Sequence, residues 1–219
     1  MEQVDLPDAV LGPRDVVVVE GPDALTYLHS QVSQDLRQLQ VGERAWTFLL
    51  EPTGKVVALA RVTRAADERF ELDTDAGAGE SLLARINRFK IRVKADTSLH
   101  PAPPDTPERD DAARIELGWP AVGAEIVPGE TIPASTGLTR VAVSFTKGCY
   151  PGQELVERMD SRAAEAPRSL RRIMVVAGAA PGDPVLDGDE VVGELTSVAG
   201  TAALAYVKRT SDVGTPVAF

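Results

Sequence analysis

The chain has 219 residues, of which 43% are hydrophobic and 26% charged, which excludes a disordered or fibrous protein and suffices for one large domain or two small ones. The formal net charge of −10 argues against a broad basic surface that binds a long phosphate backbone. One cysteine and two histidines exclude a disulfide framework, a cysteine-rich zinc site and a complete thiolate set for an iron–sulfur cluster. We therefore expect no direct nucleic acid partner and no metal bound by this chain alone.

The N-terminal segment shows no sign of export or membrane insertion. Its first 15 residues are acidic and lack the apolar core of a secretory signal peptide. No apolar run approaches the roughly 20 residues that span a bilayer. We expect a soluble protein of the reducing cytoplasm, with no membrane partner.

The first hundred residues combine strand and helix patterns. A β-branched run at 16–20 predicts a strand, and apolar residues spaced by three and four over 25–39 predict one amphipathic helix. Residues 51–54 contain a proline and a glycine that suit a turn, so the strands on either side should form a hairpin. The further elements predicted by alternation or helical spacing are hairpin strands at 45–50 and 55–63, a strand at 70–73, a helix over 82–89 and a returning strand at 91–95. We expect the strands and helices to share one sheet.

A proline-rich stretch at 100–107 is the best linker candidate, because its four prolines lack backbone donors and favour extended neighbours. Beyond it, residues 108–117 predict one or two helical turns and 118–137 an irregular path. Short strands at 170–176, 190–198 and 202–207, separated by turns, are typical of a small antiparallel barrel or sandwich. We divide the chain into regions 1–166 and 167–219.

The octapeptide KGCYPGQE at residues 147–154 is the segment best suited to carry chemistry. Pro151 fits the first position of a helix, and the residues after it predict an amphipathic helix through Arg162. Cys149 would then precede a helix N-terminus, with Lys147 two residues away. Both positive groups favour the thiolate form of a cysteine.

Two glycines flank the cysteine, and polar residues follow it. Gly148 and Gly152 allow backbone or a ligand to approach closely. The alternative is that Cys149 is a small buried side chain, which is common for a lone cysteine. In the same way Gln153 and Glu154 can be solvated residues of a first helical turn.

The octapeptide resembles the signature Lys-Gly-Cys-Tyr-x-Gly-Gln-Glu of the YgfZ family of folate-binding proteins, relatives of the glycine-cleavage T protein. We call residues 147–154 the signature loop. The likeness extends to VEGPDALTYLHSQVSQDLRQL, EPTGKVVALARV, ARIELGWPAVGAEIVPGETIPASTGL and GELTSVAGTAALAYVKR. The resemblance implies an α+β fold with a T-protein-like N-terminal region of mixed sheet and helices, followed by a small C-terminal antiparallel β-barrel. The chain is shorter than typical members, with the gap near the proline-rich stretch.

The resemblance implies a tetrahydrofolate-binding protein that supports assembly or repair of iron–sulfur clusters in client enzymes. Cys149 would be the functional thiol, assisted by Lys147. The ligand-binding residues implied in the signature loop are Gly148, Tyr150, Gly152, Gln153 and Glu154. The alternatives are a tetrahydrofolate-dependent aminomethyltransferase and a ligand-free interaction scaffold. The T protein has an aspartate after its first hairpin glycine that serves aminomethyl transfer, whereas this chain has Lys55 there.

A reduced pterin presents an amino group and a ring N–H side by side, so one carboxylate can accept both hydrogen bonds. By resemblance, Glu116 aligns with the T-protein glutamate assigned to the pterin, and Ile115 and Leu117 suggest a partly buried segment. Trp119 would stack on the aromatic part of the ligand. The basic strip at 85–94 would attract the glutamyl tail. The alternatives are an outward strand residue for Glu116, a core position for Trp119 and a solvated face for the strip.

Overall fold

A computed structural model describes residues 4–161 and 166–219. The strands of its first sheet are β1 (Arg14–Glu20), β2 (Arg44–Leu50), β3 (Val56–Ala66), β4 (Arg69–Asp75) and β5 (Asp96–His100). The strands of its second sheet are β6 (Arg168–Met174), β7 (Pro184–Asp187), β8 (Glu190–Ala199), β9 (Ala202–Lys208) and β10 (Thr215–Pro216). The helices are α1 (Asp8–Leu11), α2 (Ala24–Gln31), α3 (Gly79–Asn87), α4 (Asp111–Leu117), α5 (Thr139–Ala142) and α6 (Gln153–Ser161). Short 3₁₀ turns occur at Leu36–Gln38 and Pro133–Ser135.

The first sheet has the strand order β2-β3-β4-β1-β5 and is covered on both faces. One face packs against α2 and α3 in an apolar cluster that includes Val17, Leu28, Leu72 and Ile86. The other face packs against α1, α5 and the start of α6, in a cluster that includes Phe48, Val141, Tyr150 and Val156. The predicted hairpin is confirmed, because β2 and β3 pair in antiparallel register around residues 51–54. The signature loop therefore contacts the core on the face of the β2–β3 hairpin that packs against α1, α5 and α6.

The predicted helix over 25–39 is wrong in its length, because α2 ends before Val32. Val32 is extended and forms an isolated bridge with Leu49 of β2. Ser33 Oγ accepts a hydrogen bond from the backbone N–H of Phe48 at 2.8 Å. The chain after α2 is therefore tied to the sheet edge, and these tertiary contacts override the local helical spacing.

The returning strand predicted at 91–95 is wrong, because the observed strand β5 begins at Asp96 and pairs antiparallel with β1. The preceding segment is irregular, with Arg92 at a φ of 56°. Its geometry is fixed by side chains: Lys90 Nζ donates to the backbone oxygen of Ala95 at 2.7 Å. The strand therefore begins five residues later than the sequence predicts, at Asp96 instead of residue 91.

The second sheet has the strand order β10-β6-β9-β8-β7, with antiparallel pairing throughout. The α+β class is thus confirmed, whereas a closed barrel is not observed among the described strands, because β10 and β7 remain at opposite edges. The strand β7 begins at Pro184, the last residue of the turn that the proline- and glycine-containing sequence predicts at 181–184. The predicted helix end at Arg162 lies outside the described residues, and the division at 166/167 stays a prediction. No described helix combines the length and apolar character needed to cross a membrane.

Candidate functional site

The signature loop connects α5 to α6 and alternates between buried and exposed residues. Lys147 and Tyr150 are buried, whereas Gly148 and Cys149 between them are exposed. The alternative that Cys149 is a buried side chain is therefore wrong. The loop is fixed from beneath at its flanking residues and presents its centre at the surface.

Lys147 anchors the loop to the C-terminal end of α2. Its Nζ donates to the backbone oxygens of Val32 at 2.5 Å, of Gln34 at 3.2 Å and of His29. These carbonyls lie at a helix end, where unpaired acceptors and the helix dipole favour a cation. The same Nζ lies 5.1 Å from the centre of the Tyr150 ring. Burial lowers the pKa of Lys147 to about 8, which is still above neutral pH. The ammonium group is therefore a cation at pH 7, held inside the fold by its three hydrogen bonds.

Two further titratable side chains lie beneath the loop. His29 is 5% exposed, with its Nδ1 3.4 Å from Asp35 Oδ1. Burial and the positive charge of Lys147 lower the pKa of His29. Burial and the nearby charge of Glu157 raise the pKa of Tyr150. The base of the loop is thus a closely packed layer in which these two rings favour their neutral forms.

Gly152 anchors the other end of the loop against the β2–β3 turn. Its φ is 84°, and a Cβ placed there would lie 2.5 Å from the backbone oxygen of Glu51 and 3.0 Å from Cα of Gly54. A Cβ on Gly54 would in turn lie 2.4 Å from Cβ of Leu155. The close backbone approach expected at Gly152 is therefore confirmed, and the neighbour is the hairpin turn. Gly148 differs, because a Cβ there would meet nothing within 4 Å.

Gln153 and Glu154 begin α6. Gln153 Oε1 accepts a hydrogen bond from the backbone N–H of Tyr150 at 3.3 Å, and its Nε2 donates to Glu157 Oε1 at 2.5 Å. Glu154 is exposed. Gln153 thus closes the turn that precedes the helix, and both residues occupy first-turn positions.

The electrostatic support expected for the Cys149 thiolate is not present as predicted. The helix begins at Gln153, so Pro151 lies in a turn before it and Cys149 is four residues from the first helical position. The ammonium group of Lys147 is directed to the three carbonyls at the end of α2. What the structure supports is an exposed thiol on a fixed loop.

Glu116 is exposed on a helix, whereas Trp119 belongs to the core. Glu116 is exposed and lies in helix α4, so the strand alternative is wrong, whereas the neighbouring Ile115 is buried and the segment is partly buried as expected. The backbone oxygen of Glu116 accepts a hydrogen bond from Arg172 Nη1 at 2.7 Å. Trp119 is 2% exposed and packs between Trp46, with ring centres 4.5 Å apart, and Phe219, at 5.2 Å. Trp119 thus occupies the core position that the sequence analysis gives as its alternative.

A buried carboxylate does exist, at Glu125, which the sequence argument missed. Its oxygens accept hydrogen bonds from Arg114 Nη1 at 2.9 Å, the backbone N–H of Ala121 at 3.0 Å, Thr196 Oγ1 at 2.7 Å and Ser197 Oγ at 2.5 Å. A carboxylate offers about four acceptor positions, so this one has none left for a pterin. The sequence around Glu125 gives no signal of this network, because its partners come from α4, from the segment after α4 and from the distant strand β8.

The basic strip expected at 85–94 is not one exposed surface. Arg85 is 3% exposed, and its Nε donates to the backbone oxygen of Leu50 at 2.8 Å. Arg88 pairs with Glu51 at 2.8 Å. The first residues of the strip therefore hold the β2–β3 turn, which in turn supports the signature loop.

The described residues form several cavities, and neither Cys149 nor Glu116 lines the main ones. A cavity of about 480 Å³ is lined by Lys55 and Glu125, among others. Another of about 440 Å³ lies beside α6, with Phe145, Met159 and Arg171 in its walls. Within residues 4–161 and 166–219, no three His, Cys, Asp or Glu side chains are grouped as a metal site. Cys149 and Glu116 are thus not brought to one cavity.

The fold is that of a glycine-cleavage aminomethyltransferase. The chain superposes on aminomethyltransferase T of the glycine cleavage system from Bartonella henselae with a TM-score of 0.72, covering 90% of this chain and 77% of that one at 17% identity. No family model matches the chain.

The sequence relatives include proteins of three named groups. The chain is 40% identical over 114 residues to the tRNA-modifying protein YgfZ of Escherichia coli, covering 52% of this chain and 30% of that one. It is 27% identical over 216 residues to an aminomethyltransferase of Rippkaea orientalis, covering 94% and 54%. It is 24% identical over 241 residues to the mitochondrial iron–sulfur cluster assembly factor IBA57 homolog of Neurospora crassa, covering 80% and 55%. These relatives confirm the resemblance to the YgfZ family and its aminomethyltransferase kin. The chain spans about half the length of the curated aminomethyltransferases it matches.

Proposed function

We propose that this chain is a tetrahydrofolate-binding accessory protein that supports the assembly or repair of iron–sulfur clusters in client enzymes, with Cys149 as the thiol that meets the client. The proposal is supported by the resemblance of the signature loop and by relatives named for iron–sulfur cluster assembly. The observation that carries it is the exposure of Cys149 between two buried anchors. A loop that only connects two helices would not need buried anchors such as Lys147 and Tyr150 beneath an exposed cysteine.

The chemistry available to Cys149 is limited by its being the single cysteine of the chain. A four-thiolate cluster needs further ligands, so a client or carrier protein would supply them. The Cys149 sulfur would bind one iron at the edge of a cluster, with its proton released to solvent. Transient ligation of this kind suits delivery or repair, because a single contact is easily broken again.

Aminomethyl transfer is less well supported, although relatives carry that name. The resemblance places Lys55 where the T protein has its reactive aspartate. Lys55 Nζ donates to the backbone oxygen of Glu130 at 2.9 Å. An ammonium group in this position cannot act as the carboxylate does. An assay for methylene-tetrahydrofolate formation from an aminomethyl donor should therefore show no turnover.

The proposal is tested in cells that lack the protein, by measuring the activity of their iron–sulfur enzymes. The wild-type chain and a Thr146→Ser control, which changes an exposed residue next to the loop, should both restore activity. Cys149→Ser should accumulate as folded protein, with unchanged thermal unfolding, and restore none. Full rescue by Cys149→Ser would refute the role of the thiol.

A further inference from the structure

The segment that follows α3 is a cationic turn in an acidic chain. Residues 88–94 have the sequence RFKIRVK, and we call them the basic turn. Its four cationic side chains, Arg88, Lys90, Arg92 and Lys94, are accompanied by no carboxylate, whereas the net charge of the whole chain is −10. Arg92 and Lys94 are exposed and form no ion pair with the residues that the structure describes. The basic turn therefore attracts anionic groups that the rest of the surface repels.

Two apolar side chains are exposed among these charges. Ile91 is 76% exposed and Phe89 is 37% exposed. The guanidinium groups of Arg85 and Arg88 lie 5.0 Å and 5.4 Å from the centre of the Phe89 ring. Exposed apolar groups within a rim of charges are typical of surfaces that bind other proteins. The basic turn thus offers apolar contact and positive charge together.

The backbone of the basic turn has a conformation that local preferences disfavour. Arg92 has a φ of 56°, and no other non-glycine residue of the described segments has a positive φ. A residue with a Cβ adopts this left-handed conformation only where the surrounding structure imposes it. Residues of this kind are concentrated at functional sites. The conformation directs attention to the exposed tip of the turn, residues 91–92.

Hydrogen bonds fix the base of the basic turn. Lys90 Nζ donates to the backbone oxygen of Ala95 at 2.7 Å. The backbone N–H of Lys94 donates to Asp23 Oδ2 at 2.8 Å, and the backbone N–H of Asp23 donates to the backbone oxygen of Lys94 at 3.2 Å. A surface that is already ordered loses little conformational entropy when a partner binds. The turn is therefore preorganised for docking.

The basic turn and the signature loop both contact the β2–β3 turn. Arg88 Nη1 lies 2.8 Å from Glu51 Oε2. A Cβ on Gly152 would lie 2.5 Å from the backbone oxygen of the same Glu51. An interface of standard size covers about 800 Å² on each partner. A protein bound to the basic turn would therefore lie next to the loop that carries Cys149.

We propose that the basic turn is the docking surface for the client or carrier protein, which contributes an acidic segment with at least one apolar side chain. The inference rests on the proposed function and adds the partner's chemistry to it. Carboxylates of the partner pair with Arg92 and Lys94, and its apolar side chain packs on Ile91. A phosphate backbone offers no such apolar group. The acidic remainder of the chain would also repel an extended polyanion such as RNA or an anionic bilayer.

The test is the binding of a fluorescein-labelled peptide, with one leucine between two pairs of glutamates, measured by fluorescence anisotropy at low salt. The wild-type chain should bind it, and should not bind the same peptide with glutamine in place of glutamate. Ile91→Ser should weaken binding about threefold or more. The double variant Arg92→Gly, Lys94→Gln should weaken it about three- to tenfold.

Two controls show that these losses are specific. Val176→Ser removes a side chain that is 81% exposed in the second region, and should bind like the wild type. Glycine suits the positive φ of residue 92, so the double variant should be at least as stable as the wild type in thermal unfolding. In cells that lack the protein, the double variant should restore less iron–sulfur enzyme activity than Val176→Ser.

The outcomes separate this proposal from the proposed function. Absence of peptide binding, or equal affinity of the wild type, Ile91→Ser and the double variant, would overturn the docking surface. Binding of phosphatidylserine vesicles or duplex RNA in place of the peptide would equally overturn it, as would a dimer that Ile91→Ser abolishes. The peptide carries no cluster, so its binding does not depend on Cys149. Rescue by Cys149→Ser would contradict the proposed function and leave peptide binding unchanged.

Discussion

Replacement of Gly152 by alanine should destabilise the fold through the anchor of the signature loop. The residue has a φ of 84°, a conformation that costs about 1–2 kcal/mol for a residue with a Cβ. The new Cβ would also lie 2.5 Å from the backbone oxygen of Glu51 and 2.9 Å from Cβ of Leu50. Because these neighbours belong to the sheet and its turn, they cannot move freely, and such overpacking costs about 1–3 kcal/mol.

The expected loss is therefore about 2–5 kcal/mol, a large part of the roughly 5–15 kcal/mol that stabilise a typical domain. The measurement is the free energy of unfolding from urea titrations. Gly148→Ala is the matched control in the same octapeptide, because its Cβ meets nothing within 4 Å. Gly148→Ala should be neutral or slightly stabilising. Equal stability of the two variants would refute the reasoning that Gly152 is required by its contact with the hairpin.

Further predictions concern the buried charges. Lys147→Met should cost about 2–4 kcal/mol, because it leaves buried carbonyls unpaired. The pKa of Lys147 is lowered from 10.5 to about 8, so between these pH values the unfolded chain binds more protons and wild-type stability should rise relative to Lys147→Met. Urea titrations at pH 7.5 and 9.5 test this, and a constant difference would contradict it. Arg114 Nη1 lies 2.9 Å from Glu125 Oε2. Arg114→Met should cost about 3–5 kcal/mol, because it leaves the buried Glu125 carboxylate without its ion-pair partner. The double variant with Glu125→Leu should recover part of that loss in thermal unfolding, and no recovery would show that the pair is not the cause.

Local patterns predict the first sheet well, for a physical reason. The hairpin around 51–54 follows from a proline and glycine turn between two apolar strands, and all of these signals lie within twenty residues. The apolar spacing over 25–39 is also correct as a burial pattern, because Leu28, Val32, Leu36 and Leu39 are all fully buried. What the pattern cannot specify is where the helix stops.

The end of α2 depends on residues far away in sequence. Lys147 reaches the carbonyls of His29 and Val32 across more than a hundred residues. Ser33 also donates to the backbone oxygen of Ala142 at 2.6 Å. No local window contains these partners, so the sequence predicts a longer helix than the fold allows.

The sequence predicts some features of the candidate site, whereas others depend on tertiary packing. The signature loop is recognisable from eight consecutive residues, and its glycine contact at Gly152 follows from glycine chemistry. The direction of Lys147 and the exposure of Glu116 depend on tertiary packing. The sequence therefore predicts the wrong direction for Lys147 and leaves the burial of Glu116 open. The sequence does not predict the cavity beside α6 either, because residues from several separate segments line it.

The central claim is that the fold presents the Cys149 thiol at the surface of a fixed loop. The rate of alkylation by iodoacetamide, followed by mass spectrometry of the intact chain, measures this directly, because no other cysteine contributes. The native chain should react within about a factor of ten of the urea-unfolded chain at the same pH. Alkylation that occurs only after unfolding would show that the thiol is enclosed, and would contradict the role proposed for it.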